Sequence, residues 1–296
     1  MFIRRLKNQL QDTTNESVLR IIGDRGSGKT AYLASLAYWP NASAESPVQS
    51  ITPMDEDGQE LITKARDILE QGLELEPTDL DANIDSVKDY ALSITLKKHF
   101  SSWLGSEKLM QLNISCKDYA GEFFSDLLQK SGDARLEDYL DDCCLSSGLL
   151  FLIDGTSHRQ DRNYALGMEK LLVELDRTDL DVKQRRIGVV LSKCEQPELW
   201  VKRHQPDRLA QARFPLLSAQ LNKWSKLGGG SVAYFTASAF GILGNQYPTP
   251  NATRVRRSQA GTASVIKNPA RWRPFGLVSP IYWLCTGKRH PELDRD

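Results

Sequence analysis

A glycine-rich segment near the N-terminus has the residue types and the spacing that hold phosphate groups. Residues 23–30 read Gly-Asp-Arg-Gly-Ser-Gly-Lys-Thr and fit the pattern G-x-x-x-x-G-K-[ST] without a mismatch. The glycines allow backbone N–H groups to turn toward phosphate oxygens at the positive end of a following helix. Lys29 would reach the terminal phosphates, and the hydroxyl of Thr30 would bind Mg²⁺. The segment predicts a site for a nucleoside triphosphate.

The stretches on either side of this segment support the prediction. Ser17–Ile22 is a short apolar run of the kind found in buried strands, and Thr30–Trp39 carries alanine and leucine at near-helical spacing. A phosphate-binding loop of this type needs a strand before it and a helix after it. The residues expected to contact the nucleotide here are Gly23, Asp24, Arg25, Gly26, Ser27, Gly28, Lys29, Thr30 and Ala31.

Strand-like and helix-like stretches alternate along the rest of the chain. Strands are expected at Leu92–Leu96, Leu109–Cys116, Leu149–Ile153, Ile187–Leu191 and Val232–Phe235, and a helix at Tyr164–Leu175. The first two strands are close enough in sequence to be antiparallel neighbours. This order predicts a single three-layer α/β P-loop domain over residues 1–296, with a mostly parallel sheet and one antiparallel strand.

Composition excludes several classes of protein. The 38 basic and 38 acidic residues cancel, which argues against a nucleic-acid partner. The longest apolar run, Leu149–Ile153, is much shorter than the ~20 residues of a membrane span. Five cysteines without a metal-like spacing fit a reducing compartment. We therefore expect a cytoplasmic protein with no membrane span.

The charges are segregated along the chain. Residues 41–91 contain thirteen acidic side chains, whereas residues 250–290 contain eight basic and no acidic ones. The first stretch is predicted to be a helical or irregular insertion, and residues 245–273 a long basic loop before the C-terminal helix. Two interpretations remain open: two separate solvated surfaces, or a contact surface between the stretches or with a partner.

Two aspartates could face a magnesium ion, because each ends an apolar strand. Asp118 opens the sequence Asp-Tyr-Ala-Gly-Glu, a D-x-x-G pattern that follows the second strand of the expected antiparallel pair. There the carboxylate can hold a magnesium-bound water, and the amide of Gly121 can contact the terminal phosphate. Asp154 ends the run Leu-Leu-Phe-Leu-Ile-Asp, as in many ATPases. Asp118 is favoured, and Asp154 remains the alternative.

With these motifs, the sequence resembles the Ras/Arf-like, translation-factor-related class of P-loop GTPases. In that class a strand ends in [NT]-K-x-D; here Ile187–Leu191 is followed by Ser-Lys-Cys-Glu at 192–195. The resemblance implies that Lys193 lies along the guanine face and that Glu195 accepts the N1–H and 2-amino protons. Ser192 takes the Asn or Thr position. The longer Glu195 shifts the carboxylate relative to the usual aspartate, which bears on guanine selectivity.

The resemblance extends to three further segments. Ser238 and Ala239 follow the next strand and are similar to the loop whose backbone amide contacts the guanine oxygen. The stretch from Gly72 to Thr78 and the late Pro-Phe-Gly at 274–276 resemble a bacterial family related to Ras and Arf, the double-GTPases. By this resemblance Thr78 is the switch threonine that closes on Mg²⁺. Thr52 is the competing choice, and an N-cap before Asp79 is the alternative role for Thr78.

The implied activity is Mg²⁺-dependent binding and hydrolysis of GTP to GDP. Where this class carries a glutamine after D-x-x-G, the chain has Glu122, which could act as a base or cap a helix. Arg25 could stabilise transition-state charge or lie in solvent. We expect hydrolysis to be slow without a protein partner. This partner would be an activator or effector that binds through the switch segments. The resemblance also implies a role in a bacterial signalling or conflict system. The alternatives are an ATPase that uses Asp154 and a non-hydrolysing nucleotide-bound scaffold.

Overall fold

The computed structural model describes residues 13–39, 47–72, 88–97, 110–118, 126–128, 134–177, 185–244, 248–257 and 261–294. The strands are β1 (Thr13–Ile22), β2 (Val48–Pro53), β3 (Asp89–Leu96), β4 (Met110–Asp118), β5 (Gly148–Asp154), β6 (Arg186–Ser192), β7 (Ser231–Thr236), β8 (Ala252–Arg257) and β9 (Gly261–Ile266). The helices are α1 (Lys29–Tyr38), α2 (Glu56–Gln71), α3 (Ala134–Leu145), α4 (Asp161–Arg177), α5 (Pro197–Trp200), α6 (Pro206–Arg213), α7 (Pro215–Lys226) and α8 (Val278–Thr286). Two short 3₁₀ turns cover His158–Gln160 and Pro269–Arg271.

One mixed sheet forms the middle layer. Its seven strands lie in the order β2-β3-β4-β1-β5-β6-β7. β1, β4, β5, β6 and β7 are parallel, whereas β3 is antiparallel to both of its neighbours, β2 and β4. The expected mostly parallel sheet with one antiparallel strand is confirmed. The carboxyl ends of β1, β4, β5, β6 and β7 therefore meet at one edge of the layer, where ligands of α/β sheets bind.

Helices cover both faces of the sheet, which completes three layers. On one face α1, α2 and α8 pack on residues such as Leu19, Ile94 and Leu152. On the other face α3, α4 and α7 pack on residues such as Phe151, Val189 and Leu191. β5 reads Gly-Leu-Leu-Phe-Leu-Ile-Asp because both of its faces are buried, so it has no polar alternation. In the described part of the chain, no helix is both long and apolar enough to cross a bilayer.

The acidic stretch contains two regular elements. A strand, β2, was not predicted there, and it pairs with β3 at the edge of the sheet. The helix α2 follows, capped by Asp55, whose carboxylate accepts from the N–H of Gly58 at 2.6 Å. On α2, hydrogen bonds from Lys88 and Lys64 lower the pKa of Glu60 to about 2. Glu60 thus pairs with lysines of its own acidic stretch.

The predicted basic loop contains a hairpin. β8 and β9 pair antiparallel as a separate two-stranded sheet, and Asn251 anchors its base by donating to the Asn268 carbonyl at 3.0 Å. α2 packs against β9 and against the 3₁₀ turn Pro269–Arg271. The acidic and basic stretches are therefore neighbours in the fold, and both interpretations of their charge stay predictions.

Candidate nucleotide-binding site

The glycine-rich loop, residues 23–30, joins the end of β1 to the start of α1. Gly28 precedes the helix in the left-handed region, at φ 93° and ψ 24°, where a side chain would be strained. Gly23 approaches the neighbouring strand so closely that a Cβ atom there would lie 2.1 Å from the Leu152 carbonyl oxygen. The N–H of Ser27 donates to the Asp24 carbonyl at 3.1 Å and closes the turn. Residue type at both glycines is thus dictated by backbone geometry.

The loop encloses the ammonium group of Lys29. This side chain is buried, and its Nζ donates to the carbonyls of Gly23 at 2.9 Å and Asp24 at 3.3 Å. A positive charge is therefore held inside the curl of the loop, at the N-terminus of α1, where an anion is favoured. Arg25 is exposed at the tip, and its N–H donates to the Asp24 carboxylate at 2.7 Å.

Ser192 joins this loop to the end of β6. Its hydroxyl lies 2.6 Å from the Ser27 carbonyl and 3.0 Å from the Ile153 carbonyl, both acceptors for its one proton. The serine that replaces Asn or Thr in the predicted base-recognition motif thus fixes the phosphate loop to the strand that precedes Lys193 and Glu195. This contact places the phosphate loop next to the predicted base-recognition segment.

Lys193 combines a positive φ with an ion pair. Its φ is 58°, and among the non-glycine residues that the structure describes no other φ is positive. Its Nζ lies 2.6 Å from Oδ2 of Asp154, and the other carboxylate oxygen, Oδ1, accepts from the N–H and hydroxyl of Thr156 at 2.9 and 2.7 Å. Burial opposes ionisation of Asp154, but Lys193 and Thr156 outweigh it, so the pKa of Asp154 is lowered. Asp154 therefore lies beside Lys193 of the predicted base-recognition segment.

The turn after β5 is itself supported from α6. Arg213 donates to the carbonyls of Gly155 and Thr156, each at 3.2 Å. Neither Thr156 nor Arg213 was predicted to belong near the site. The register of the strands contains the relevant signal, because Asp154 and Ser192 are direct partners on β5 and β6. Two strands that end at the same level place the residues that follow them in contact.

We expect Asp154→Asn to weaken GTP binding by about 1 kcal/mol, roughly fivefold, because the half-buried ion pair that orients Lys193 is lost. ATP binding and hydrolysis should change little. Nucleotide titration of the variant checks this, with Asp138→Asn, an exposed change on α3, as the matched control. If Asp154→Asn instead removes Mg²⁺-dependent binding of both triphosphates, Asp154 is a magnesium ligand and the ATPase alternative is supported.

Glu195 is a buried acid with an unused oxygen. The side chain is 4% exposed, and among the described residues its Oε2 has no hydrogen-bond partner. Burial raises the pKa of Glu195, although Ser238, Gln196 and Lys193 act in the opposite direction. The loop is fixed by the N–H of Cys194, which donates to the Ala237 carbonyl at 3.1 Å. A buried carboxylate oxygen without a donor is costly unless a ligand supplies one.

The neighbouring loop after β7 is also rigidly held. The backbone of Ser238 forms two hydrogen bonds with Phe275, of 3.0 and 3.1 Å, and its hydroxyl accepts from the N–H of Gly241 at 2.9 Å. The carbonyl of Ala239 accepts from Ser35 of α1 and from the indole of Trp272, at 2.9 and 2.8 Å. These contacts connect the predicted S-A loop to the helix that follows the phosphate loop.

Two orphaned polar atoms test whether a nucleotide fits this site. In the described part of the chain, Ser27 Oγ and Glu195 Oε2 are buried without a hydrogen-bond partner. Ser27 belongs to the loop predicted to hold phosphate, and Glu195 to the loop predicted to hold guanine. Phosphate oxygens accept hydrogen bonds, and guanine presents adjacent N–H donors, so one nucleotide would satisfy both. The residues present fit the predicted ligand at each end.

The remaining predicted residues are placed in part. Asp118 is the last residue of β4, and its backbone pairs with Ile21, two residues before Gly23. The end of β4 is thus beside the start of the phosphate loop, where a D-x-x-G segment is expected. Thr30 and Ala31 lie in the first turn of α1. Thr78, Gly121 and Glu122 lie outside the described residues, and their predicted roles stay predictions.

Comparison with solved structures finds several similar chains at low sequence identity. The chain is similar to the ADP-ribosylation-factor-like small COPII coat GTPase SAR1 of Encephalitozoon cuniculi in complex with GDP, at 13% identity and TM-score 0.33, covering 79% of this chain and 74% of that one. It is similar to the small GTPase Arl6 of Trypanosoma brucei with a bound nucleotide analogue, at 11% identity and TM-score 0.38, covering 76% and 87%. It is also similar to the SRb-GTP/SRX complex of the signal recognition particle receptor from Chaetomium thermophilum, at 12% identity and TM-score 0.41, covering 78% and 93%.

The descriptions of these three chains name a GTPase or GTP, as does the predicted resemblance to Ras/Arf-like P-loop GTPases. No family model matches the chain, and no curated protein does. The finer resemblance to bacterial double-GTPases stays a prediction. The proposed function rests on the geometry of the site.

Proposed function

We propose that this protein is a Mg²⁺-dependent molecular switch that binds GTP and hydrolyses it to GDP. The observation that carries the proposal is the buried Glu195 Oε2, which has no hydrogen-bond partner among the described residues and lies in the loop after β6 that Ser192 joins to the phosphate loop. A base with two adjacent N–H donors satisfies this carboxylate, whereas adenine presents an acceptor at the corresponding ring nitrogen. The arrangement supports guanine rather than adenine.

The proposed roles of the remaining residues follow from the sequence motifs to which they belong. The phosphates lie along the N–H groups of the loop 23–30, with the Lys29 ammonium offsetting their charge. Thr30, Asp118 and Thr78 would hold Mg²⁺ through oxygen atoms, the ligand type this ion prefers. When bound, the ion neutralises charge that develops on the terminal phosphate. Gly121 would contact that phosphate through its N–H, and Glu122 and Arg25 would act on the attacking water and on the transition-state charge.

The ATPase alternative requires Asp154 at the magnesium ion. The ion pair of Asp154 with Lys193 and its two hydrogen bonds from Thr156 instead favour a role next to the base. The scaffold alternative rests on the two glutamates that depart from the GTPase pattern, Glu122 and Glu195. The measurement of GTP hydrolysis tests this scaffold alternative. A cytoplasmic location and a protein partner that acts through the switch segments are part of the same proposal.

We expect slow intrinsic turnover, at or below about 10⁻²–10⁻⁴ s⁻¹, the range of unassisted GTPases of this class. An ionised Glu122 would face the negative terminal phosphate and raise the barrier unless Mg²⁺, Lys29 and Arg25 offset it. Single-turnover hydrolysis of GTP and ATP by the purified protein measures this, with Glu122→Gln expected to be faster.

Three results would change the proposal. Turnover near 1 s⁻¹ without a partner would show a complete catalytic set and remove the need for an activator. Faster hydrolysis of ATP than of GTP would favour the ATPase. Tight GTP binding with no hydrolysis, in the wild type and in Glu122→Gln, would make the protein a nucleotide-bound scaffold.

A further inference from the structure

A cavity lies at the far edge of the sheet, beside β7. Its volume is about 410 Å³, and its walls come from the turn after α5, the first turn of α6, the end of β7, the start of α8 and the segment after α8. None of the residues 23–30 or 192–195 lines it. Phe235, Phe275 and Leu293 give it an apolar wall, and arginines from three different elements reach it. The size is within the range of small-molecule sites.

Arg203 lines this cavity and has no acidic partner among the described residues. Its guanidinium carbon lies 3.5 Å from the centre of the Trp200 ring, and its Nη1 donates to the Trp200 carbonyl at 2.9 Å. Within the described residues it forms no ion pair and donates to no other group. The side chain is half-buried, and burial lowers the pKa of Arg203. A stacked guanidinium with unused N–H groups is pre-organised to bind an oxyanion.

The other charged groups of the cavity leave a positive balance. Arg289 stacks on Phe235 at 4.3 Å, donates to the Tyr234 carbonyl and pairs with Asp294 at 3.6 Å. Asp294 also accepts from the hydroxyl of Ser279. Three arginines (203, 208 and 289) face two aspartates (207 and 294), a net charge of one positive. Burial, reinforced by Arg203, lowers the pKa of His204, which keeps this histidine neutral at pH 7.

Two helices begin at the cavity and add to its positive potential. α6 starts at Pro206 and α8 at Val278, and neither has a side-chain hydrogen bond at its N-cap. Their first turns contribute Pro206, Asp207, Arg208 and Ser279 to the lining. The positive ends of both helix dipoles therefore point toward the same space as Arg203.

We propose that this cavity is a binding site for a small organic anion. A phosphate or carboxylate group binds at Arg203 between the two helix N-termini, and a planar or apolar body packs on Phe235 and Phe275. The two ring-stacked arginines have little conformational freedom to lose, which favours binding. The proposal does not depend on which nucleotide binds at residues 23–30.

Calorimetric titration with phenyl phosphate, benzoate and neutral benzyl alcohol tests the site. It is done on the wild type with saturating GDP and Mg²⁺, and on Lys29→Ala without nucleotide, so that the phosphate loop cannot account for binding. At least one anion should bind in both proteins, and benzyl alcohol should bind at least about tenfold more weakly. Binding of only one anion identifies the acidic group.

Variants locate the site. Arg203→Gln should weaken binding of the anion at least about tenfold, and Arg208→Gln, at the exposed rim, about two- to threefold. Arg162→Gln, an exposed arginine of α4, is the matched control and should leave binding unchanged. If Arg203→Gln does not fold, Arg208→Gln decides, because its exposed side chain does not support packing. No binding of either anion at concentrations on the order of 10 mM, or equal binding by all variants, overturns the proposal.

Discussion

Lys29→Ala should reduce the affinity for GTP by roughly a hundredfold or more, because several charge-assisted contacts to phosphate oxygens are lost together. The ammonium is buried within the loop and donates to the carbonyls of Gly23 and Asp24, so its charge lies inside the curl of the loop. Thr30→Ala should weaken binding in the presence of Mg²⁺ more than in its absence. Titration with a fluorescent GTP analogue, with and without Mg²⁺, measures both effects.

Lys223→Ala is the matched control for the lysine. Lys223 is exposed in the last turn of α7, and its removal should leave GTP binding unchanged. Thermal unfolding checks that Lys29→Ala retains its fold. A folded Lys29→Ala protein with wild-type GTP affinity would show that residues 23–30 do not bind phosphate, whatever their sequence pattern.

Glu195→Gln should reduce GTP affinity by about 1.5–3 kcal/mol, roughly 10- to 150-fold, and leave ATP affinity nearly unchanged. The amide keeps the size of the side chain but removes the charge that accepts the guanine N–H groups. Glu198→Gln, three residues further along in the same segment and exposed, is the control. Equal weakening of GTP and ATP, or of neither, would show that Glu195 does not contact the base.

The same substitution should not destabilise the nucleotide-free protein. Because burial raises the pKa of Glu195 above its unfolded value, the folded state favours the protonated acid. The associated stability is fully present below the unfolded pKa and is lost as the pH rises through the folded pKa. At neutral pH glutamine avoids the cost of a buried charge, so thermal unfolding without nucleotide should occur at the same or a higher temperature. A marked loss of stability would point to a structural role for Glu195.

Much of the sheet could be predicted because its strands are buried on both faces. The runs at Leu149–Ile153 and Ile187–Leu191 lack polar residues, and β5 and β6 extend them by only one residue at each end. β2 could not be found in this way. Only Val48 and Ile51 are buried in it, and the register shifts between Val48 and Ser50, so the usual alternation of a strand is absent.

The hairpin of β8 and β9 was missed for a related reason. It is separate from the main sheet, and its first strand reads Ala-Thr-Arg-Val-Arg-Arg, which has too few apolar residues for a buried strand. The polar composition of this stretch suggested a loop. The pairing of the two strands depends on backbone hydrogen bonds and on the anchoring of the hairpin base by Asn251, neither of which a hydrophobic pattern reports.

The candidate site was predictable where chemistry dictates residue type. Gly23 and Gly28 are fixed by close approach and by backbone conformation, so the phosphate loop has a readable pattern. The partner of Lys193 was not predictable, since Asp154 lies 39 residues away and meets it only through the alignment of β5 with β6. From the sequence alone, Asp154 is an alternative magnesium ligand because it ends an apolar strand, and its contact with Lys193 is not visible there.

The relative affinity of the wild-type protein for GTP and ATP, measured by competition for one fluorescent guanine nucleotide in the presence of Mg²⁺, tests the central claim most directly. If Oε2 of Glu195 accepts the N–H groups of guanine, GTP should bind at least about tenfold more tightly than ATP, and Glu195→Gln should remove most of that preference. Equal affinities in the wild type, or a preference for ATP, would contradict the assignment of the site to guanine.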